Sequence, residues 1–278
     1  MDDVFDYAAL CAFLEKLYRE YGVTPRVFGR TALGRALFAL DLGKGRLRTL
    51  LVGGVSGADE TAPLLLRFAE TLLRHRKDRV PFCGVDLRRA FGDCGLTVVP
   101  CLNPDGLELN AHGLSSAGVL RSFLRPLVQD DMPWHANAQG VDLRHQFSTG
   151  FDAYRDAGQP APGASGFGGK QPQSEAESHA ITALCRKERF VRALLLQPGD
   201  AELTVHPPQP ERAFSLADKL LAQELSVSPQ RAAEPDGGFS FWFSDIFQRA
   251  AYTVQTGKGT DPLPEKMLFS CLLLSMLL

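Results

Sequence analysis

Neither sign of charge dominates the 278-residue sequence, in which Lys and Arg total 30 and Asp and Glu total 32. The formal net charge of -2 excludes the strongly basic surface that attracts nucleic acids and anionic membranes. Long apolar runs are also missing, because the apolar stretch at residues 268–278 is too short to span a bilayer. That stretch instead predicts a C-terminal helix docked on the core. We therefore expect neither nucleic acid nor a membrane as a partner.

Cysteine pairs with the spacing of metal ligands are absent. The six cysteines include no C-x-x-C pair, so a cysteine-based zinc site has little support. Several stand inside apolar runs, which is typical of reduced thiols in a protein core. Residues 1–6 are acidic and show none of the basic-then-apolar pattern of a secretory leader. These features predict a cytoplasmic protein.

What is present is the composition of an ordinary globular protein, with 45% hydrophobic and 22% charged residues. The length suits a large α/β unit, and we expect a single domain spanning residues 1–278. The sequence leaves the oligomeric state open.

Strand and helix patterns alternate along the chain. Residues 148–173, rich in Gly, Pro, Ala and Gln, interrupt this alternation and predict a long surface loop. Such alternation is typical of a mostly parallel sheet covered by helices on both faces. The pattern predicts strands at 36–42, 47–52, 96–102, 191–196 and 252–256, and helices at 62–76, 175–187, 214–224 and 268–278.

Four segments of the chain together carry a family resemblance. They are residues 29–35 with 53–60, Asn103-Pro104-Asp105-Gly106, residues 140–147 with 174–177, and residues 239–247 with 252–264. In this order they resemble the zinc metallocarboxypeptidases. Within that family, the sequence most resembles the bacterial γ-D-glutamyl-meso-diaminopimelate peptidases, which trim peptidoglycan stem peptides. The segments that carry this resemblance are Trp134-His135-Ala136-Asn137 and Gly257-Lys258-Gly259. The resemblance implies one three-layer α/β/α domain around a mixed, mostly parallel eight-stranded sheet.

The resemblance also implies where zinc ligands would stand. The family holds its zinc with an H-x-x-E pair and a later histidine. In this chain Ser56 stands at the first histidine, Asp59 (or Glu60, if the alignment slips by one) at the glutamate, and Gln197 at the second histidine. Hydroxyl and amide oxygens are poor zinc donors beside imidazole nitrogen. We therefore expect no metal cofactor, although the parent family uses zinc.

The catalytic base is replaced as well. The family places a glutamate two residues before Gly-Lys-Gly, and this chain has Gln255 there. An amide cannot accept a proton at neutral pH, so general-base catalysis would be lost. Arg144 replaces an asparagine, and His145 stands where many relatives carry an arginine that binds a substrate carboxylate. We expect Arg144, His145, Glu60 and Gln255 to line a ligand pocket in which Arg144 could hold an anion through both arms of its guanidinium.

The leading hypothesis is a catalytically inactive homologue that binds a peptide, a cell-wall stem peptide or an amino-acid-like ligand. One alternative is an active peptidase with an altered zinc site, and another is a regulatory partner of an active paralogue. A Ser56 nucleophile with His145 as base has little support, because no orienting acid or oxyanion motif accompanies the two residues. His112 and His135 are expected to be surface residues, and Asp105 and Asp142 to hold the fold.

Overall fold

The strands of the protein form one sheet in the computed structural model, which describes residues 4–129, 132–208, 213–258 and 261–278. Eight strands lie side by side in the order β1-β2-β4-β3-β5-β8-β6-β7, and the short β9 pairs with β8. Their bounds are β1 Arg26–Arg30, β2 Ala36–Leu42, β3 Leu47–Val52, β4 Cys94–Val99, β5 Phe190–Gln197, β6 Gly199–His206, β7 Pro229–Arg231, β8 Ala251–Lys258 and β9 Asp261–Pro262.

The four central strands, β4, β3, β5 and β8, run parallel to one another, and antiparallel pairs flank them. Such central strands are buried on both faces, which explains the continuous apolar runs of β3 and β5. The mixed eight-stranded sheet expected from the resemblance is confirmed.

Helices cover both faces of the sheet. Leucines of α1, α2, α8 and α10 pack on one face, and apolar side chains of α7 and α9 pack on the other. The helix bounds are α1 Tyr7–Tyr21, α2 Thr61–Asp78, α3 Leu87–Asp93, α4 Pro104–His112, α5 Arg121–Leu124, α6 Phe151–Ala157, α7 Ala176–Lys187, α8 Leu216–Glu224, α9 Phe239–Phe247 and α10 Glu265–Leu277. No helix in the described ranges is long and apolar enough to cross a membrane.

Two details of local structure differ from what the residue pattern indicates. Asn103-Pro104-Asp105-Gly106 has residues typical of a tight turn, but it is the beginning of α4. The Asn103 side chain caps this helix by accepting a hydrogen bond from the Gly106 N–H at 2.9 Å. Residues 148–173 include the helix α6 and are therefore not wholly loop. The docked C-terminal helix is confirmed, since most of α10 is buried against the core.

Candidate functional site

The carboxyl ends of three neighbouring parallel strands meet at one edge of the sheet. Val52, the last residue of β3, pairs with Leu195 of β5, and Gln197 at the end of β5 pairs with Gln255 of β8. The loop that follows β3 carries Ser56 and leads into α2. The fold thus brings segments from distant parts of the sequence to the edge where α/β proteins bind ligands.

A pocket of about 480 Å³ opens at this edge. It contains four of the residues predicted from the sequence, namely Arg144, His145, Gln197 and Gln255. Glu202, Thr204 and His206 of β6, the first turn of α9 and the segment 231–236 form the rest of its wall. Most of the residues that line the pocket have polar side chains, which suits a ligand with several hydrogen-bonding atoms.

The side-chain amides of Gln197 and Gln255 make no hydrogen bond with the described part of the chain, and both side chains are half-buried. Gln255 packs over Gly199, where a Cβ atom would lie 2.0 Å from the Gln255 Oε1. Within the described residues, no hydrogen bond joins Ser56 to either glutamine. Gly259 of the Gly257-Lys258-Gly259 segment lies outside the described residues.

Ser56 pairs with a histidine that the sequence did not single out for the site. Its side chain is buried, and its Oγ lies 2.8 Å from Nδ1 of His135. Burial lowers the pKa of His135, and the positive charge of Arg144 lowers it further. The imidazole is therefore neutral at pH 7. His135 is thus not the simple surface residue that was expected, and it takes the place beside Ser56 that was considered for His145.

Asp59 is buried in its own loop and does not line the pocket. Its Oδ1 accepts hydrogen bonds from the N–H and the hydroxyl of Thr61, and the Thr61 hydroxyl also accepts one from the Gly54 N–H. Burial raises the pKa of Asp59 to about 6, although the hydrogen bonds from Thr61 oppose the rise. Its Oδ2 has no partner within the described chain. Asp59 therefore braces the loop between β3 and α2.

Glu60 is exposed at the N-cap of α2 and makes no side-chain cap bond. It is not part of the pocket wall. The expectation that Glu60 lines the ligand pocket is therefore wrong for this structure, because the loop turns its side chain towards solvent.

Arg144 forms a two-armed ion pair with Asp142, with its Nε 2.9 Å from Oδ1 and its Nη2 2.7 Å from Oδ2. Burial alone would raise the pKa of Asp142, but the bonds and charge of Arg144 and the Gly166 N–H hold it at about 2. The paired arms of the guanidinium are thus engaged within the protein. Arg144 lines the pocket but does not offer these two arms to a ligand as the sequence suggested.

His145 is fixed in the pocket wall by two contacts. Its Nδ1 lies 2.9 Å from the carbonyl oxygen of Asp236, and its ring stacks on Tyr154 with centroids 3.8 Å apart and planes 8° apart. Such a ring presents its remaining edge to the pocket in a constant orientation.

The β6 side of the pocket was missed from the sequence. His206 is buried and its Nε2 lies 3.0 Å from the Thr253 hydroxyl, which in turn lies 3.0 Å from the Ser240 hydroxyl. Burial lowers the pKa of His206 to about 4, so the ring is neutral at pH 7. The alternation of Glu202, Thr204 and His206 with apolar Leu203 and Val205 is the period-two signal of a strand that could have revealed this wall.

A second group of potential metal ligands lies away from the pocket. Ligand atoms of Asp6, Glu108 and His112 lie within 4.8 Å of one another. Their oxygens already have partners, since Asp6 pairs with His112 at 3.0 Å and Glu108 pairs with Arg35 at 3.2 Å and with the Tyr7 N–H at 2.9 Å. A neighbouring cation such as Arg35 disfavours a metal ion. The group ties α1 to α4, and His112 is exposed at the surface, as expected, while pairing with Asp6.

The architecture is that of an α/β protein, a mixed sheet with helices on both faces, and its pocket lies at the carboxyl edge, where such proteins commonly bind ligands. The sequence profile of the zinc carboxypeptidase family matches residues 10–240, and the chain belongs to that family. This confirms the resemblance inferred from the four segments.

Known relatives support both the family and the fold. The chain is 24% identical, over 94% of its length and 67% of the relative's, to gamma-D-glutamyl-L-diamino acid endopeptidase 1 of Lysinibacillus sphaericus. Its fold superposes on thrombin activatable fibrinolysis inhibitor with a TM-score of 0.74 at 13% identity, covering 98% of this chain and 76% of that one. Murein-tripeptide amidase MpaA from Escherichia coli O157 gives a TM-score of 0.57 at 20% identity, covering 91% and 89% of the two chains.

The side chains at the ligand positions do not fit the zinc that the family name implies. The Ser56 hydroxyl is bonded to His135, the Asp59 carboxylate is bonded within its own loop, and Gln197 offers only an amide. Zinc sites in proteins use imidazole, thiolate or carboxylate ligands, three of them in catalytic centres. The three positions provide one carboxylate between them, and it is turned away from the pocket wall.

Proposed function

We propose that the protein is a metal-free, non-hydrolysing member of the zinc carboxypeptidase family that binds a peptide in the pocket at the carboxyl edge of its sheet. The observation that carries this proposal is the pairing of Gln197 with Gln255 at the ends of β5 and β8. By the resemblance, these are the positions of a histidine ligand and of the catalytic glutamate.

Hydrolysis by this family needs a metal-activated water and a base that takes its proton. Gln255 cannot serve as that base, because a neutral amide has no proton-accepting group near pH 7. Loss of a general base alone typically reduces the rate by two to four orders of magnitude. Replacement of the family's two histidine ligands by Ser56 and Gln197 would reduce the rate further.

The pocket favours retained binding over a purely structural role. Its volume of about 480 Å³ is within the usual range for small-ligand sites, and neutral amides of two glutamines face it. Neutral donors and acceptors avoid the cost of buried carboxylates that no metal compensates. Because a relative is named as a γ-D-glutamyl-diamino acid endopeptidase and a structural neighbour as a murein-tripeptide amidase, a peptidoglycan stem peptide is the ligand to test first.

The test combines three measurements on the full chain. We expect less than about 0.1 zinc per chain by elemental mass spectrometry after dialysis against zinc, because Zn²⁺ requires better donors. We also expect no hydrolysis of a γ-D-glutamyl-diaminopimelate peptide, but saturable binding of the same peptide by calorimetry. About one tightly held zinc per chain together with turnover would overturn the proposal in favour of an active peptidase.

Variants locate the binding site. Gln255→Leu removes the amide at nearly constant volume and should weaken peptide binding roughly tenfold, since a lost hydrogen bond costs about 1.5 kcal/mol. Gln223→Leu, on the exposed face of α8, is the matched control and should bind like the wild type. Equal affinity in both variants, or no binding by the wild type, would contradict a ligand in this pocket and favour a regulatory partner without ligand.

A further inference from the structure

The side chain at the first ligand position is too short to fill the space of the imidazole that the family carries there. In this structure an imidazole is nevertheless present beside that position. It belongs to His135, whose Nδ1 lies 2.8 Å from the Ser56 Oγ, and the two residues are 79 positions apart in the sequence. The contact joins the loop 53–60 to the segment 132–142.

The backbone of His135 is fixed on both sides, which places its side chain beside Ser56. Its carbonyl oxygen accepts a hydrogen bond from the Gly57 N–H at 2.9 Å and one from the Asn103 side chain at 3.3 Å. Its own N–H donates to the Ala164 carbonyl at 2.9 Å. These bonds fix the backbone position from which the ring reaches Ser56, so the ring can leave Ser56 only by rotating about its own side-chain torsions.

The space around Ser56 offers little room for a second ring. Ser56 is only 5% exposed, and a Cβ atom on its neighbour Gly57 would lie 2.5 Å from backbone atoms of Gly106 and Trp134. Packing of this density resists the insertion of a larger side chain.

We propose that His135 occupies the space left by the first metal ligand, and that the Ser56–His135 hydrogen bond holds the loop 53–60 against the segment 132–142. A metal would instead have tied that loop to position 197 at the end of β5. This inference rests on the proposed loss of the metal. The inference also predicts what is needed to restore zinc binding. Placing the family's residues at the three ligand positions is insufficient while His135 remains in place.

The first experiment measures the tie itself. In buffer containing EDTA, the unfolding of Ser56→Ala, His135→Ala and the double variant is followed with urea. We expect a coupling of roughly fivefold in the unfolding equilibrium constant, which is typical of one hydrogen bond. His135→Asn keeps a polar atom near the Nδ1 position and should retain part of the coupling, whereas His135→Gln should retain none. Additive effects in the cycle would overturn the proposed tie.

The second experiment measures zinc affinity by competition with a chromogenic chelator. The combined variant Ser56→His, Asp59→Glu and Gln197→His is compared with the same variant that also carries His135→Ala. We expect zinc to bind at least about tenfold more tightly once His135 is removed, because the imidazole at position 56 then has space to turn towards the metal. Equal or weaker binding without His135 would overturn the proposal.

The two proposals fail in different ways. If the wild type holds zinc and hydrolyses peptide, the proposed function fails, and the cycle in EDTA still reports whether Ser56 and His135 are coupled. If the wild type is free of zinc but the cycle is additive, only the proposed tie between Ser56 and His135 fails.

Discussion

Glu177, in the first turn of α7, is a fully buried acid whose charge has almost no compensation. Its Oε2 accepts a hydrogen bond from the Asn137 amide at 3.4 Å, and its Oε1 has no partner within the described ranges. Burial raises the pKa of Glu177 to about 8, and the charges of Asp105 and Glu175 raise it further. The side chain is therefore mostly protonated at pH 7.

This shift determines how stability depends on pH. With a pKa near 4.5 in the unfolded chain and about 8 in the folded one, the unfolded state releases its proton first as pH rises. The folded state therefore loses stability between about pH 4.5 and pH 8, by at most about 1.4 kcal/mol per pH unit from this group. We expect Glu177→Gln to remove this loss and to stabilise the protein more at pH 8 than at pH 5. Urea unfolding at the two pH values measures the difference.

Glu60→Gln is the control, because Glu60 is exposed and should change neither value. Equal stabilisation of Glu177→Gln at pH 5 and pH 8 would show that Glu177 does not titrate in this range.

At the scale of single elements, Asn103 at the start of α4 connects this helix to the loop 53–60 and to the segment 132–142. The Asn103 side chain caps the helix at Gly106 and also donates to the carbonyl oxygens of Val55 and Ala136 at 3.2 and 3.1 Å. We expect Asn103→Ala to cost about 3 kcal/mol in the free energy of unfolding, because the cap and buried carbonyl partners are lost together. Asp86→Ala, at the exposed cap of α3, should cost only about 1 kcal/mol. Urea unfolding of both variants tests this, and equal costs would contradict it.

Two glycines in different elements should respond in opposite ways to alanine. A Cβ atom on Gly92, in α3, meets nothing within 4 Å, so Gly92→Ala should stabilise the protein by about 0.5–1 kcal/mol through helix propensity. Gly57→Ala should destabilise it by about 2 kcal/mol, since its Cβ would lie 2.5 Å from backbone atoms. Thermal unfolding of the two variants shows whether each substitution raises or lowers the unfolding temperature. An unchanged unfolding temperature for Gly57→Ala would mean that the loop 53–60 can move to make room for the methyl group.

The sequence predicted helices and strands best where the residue pattern of a segment favoured one structure only. β2 and β3 have the predicted bounds, because their apolar runs are flanked by a glycine turn. β6 was missed since its first half, Gly199 to Ala201, lacks β-branched or aromatic residues. α4 was missed because its cap residues are also turn residues, and only tertiary contacts decide between the two structures.

The same limit applies to the site at the scale of the whole molecule. Gln197 and Gln255 could be predicted because the resemblance places them at family positions. The Ser56–His135 pair could not, since it depends on packing two loops that are 79 residues apart. Arg144 was predicted at the correct place but with the wrong contact, because Asp142, two residues earlier, engages both arms of its guanidinium.

Metal removal should leave the stability of the whole protein unchanged. Ligands that bind only the folded state raise its stability by mass action, so a tightly held zinc would shift the unfolding temperature by several degrees. We expect EDTA and added zinc each to shift it by less than about 1 °C. His112→Ala is the control, because it removes one of the three potential ligands in the group of Asp6, Glu108 and His112. A larger zinc effect that persists in this variant would contradict a metal-free core.

The strand order has a consequence for synthesis. β8 is made late, at residues 251–258, yet it lies between β5 and β6, which are made some fifty residues earlier. While the chain grows on the ribosome, the facing edges of β5 and β6 therefore have no strand between them, and open strand edges promote aggregation. We therefore expect the growing chain to aggregate most readily in the interval before β8 emerges and closes the sheet.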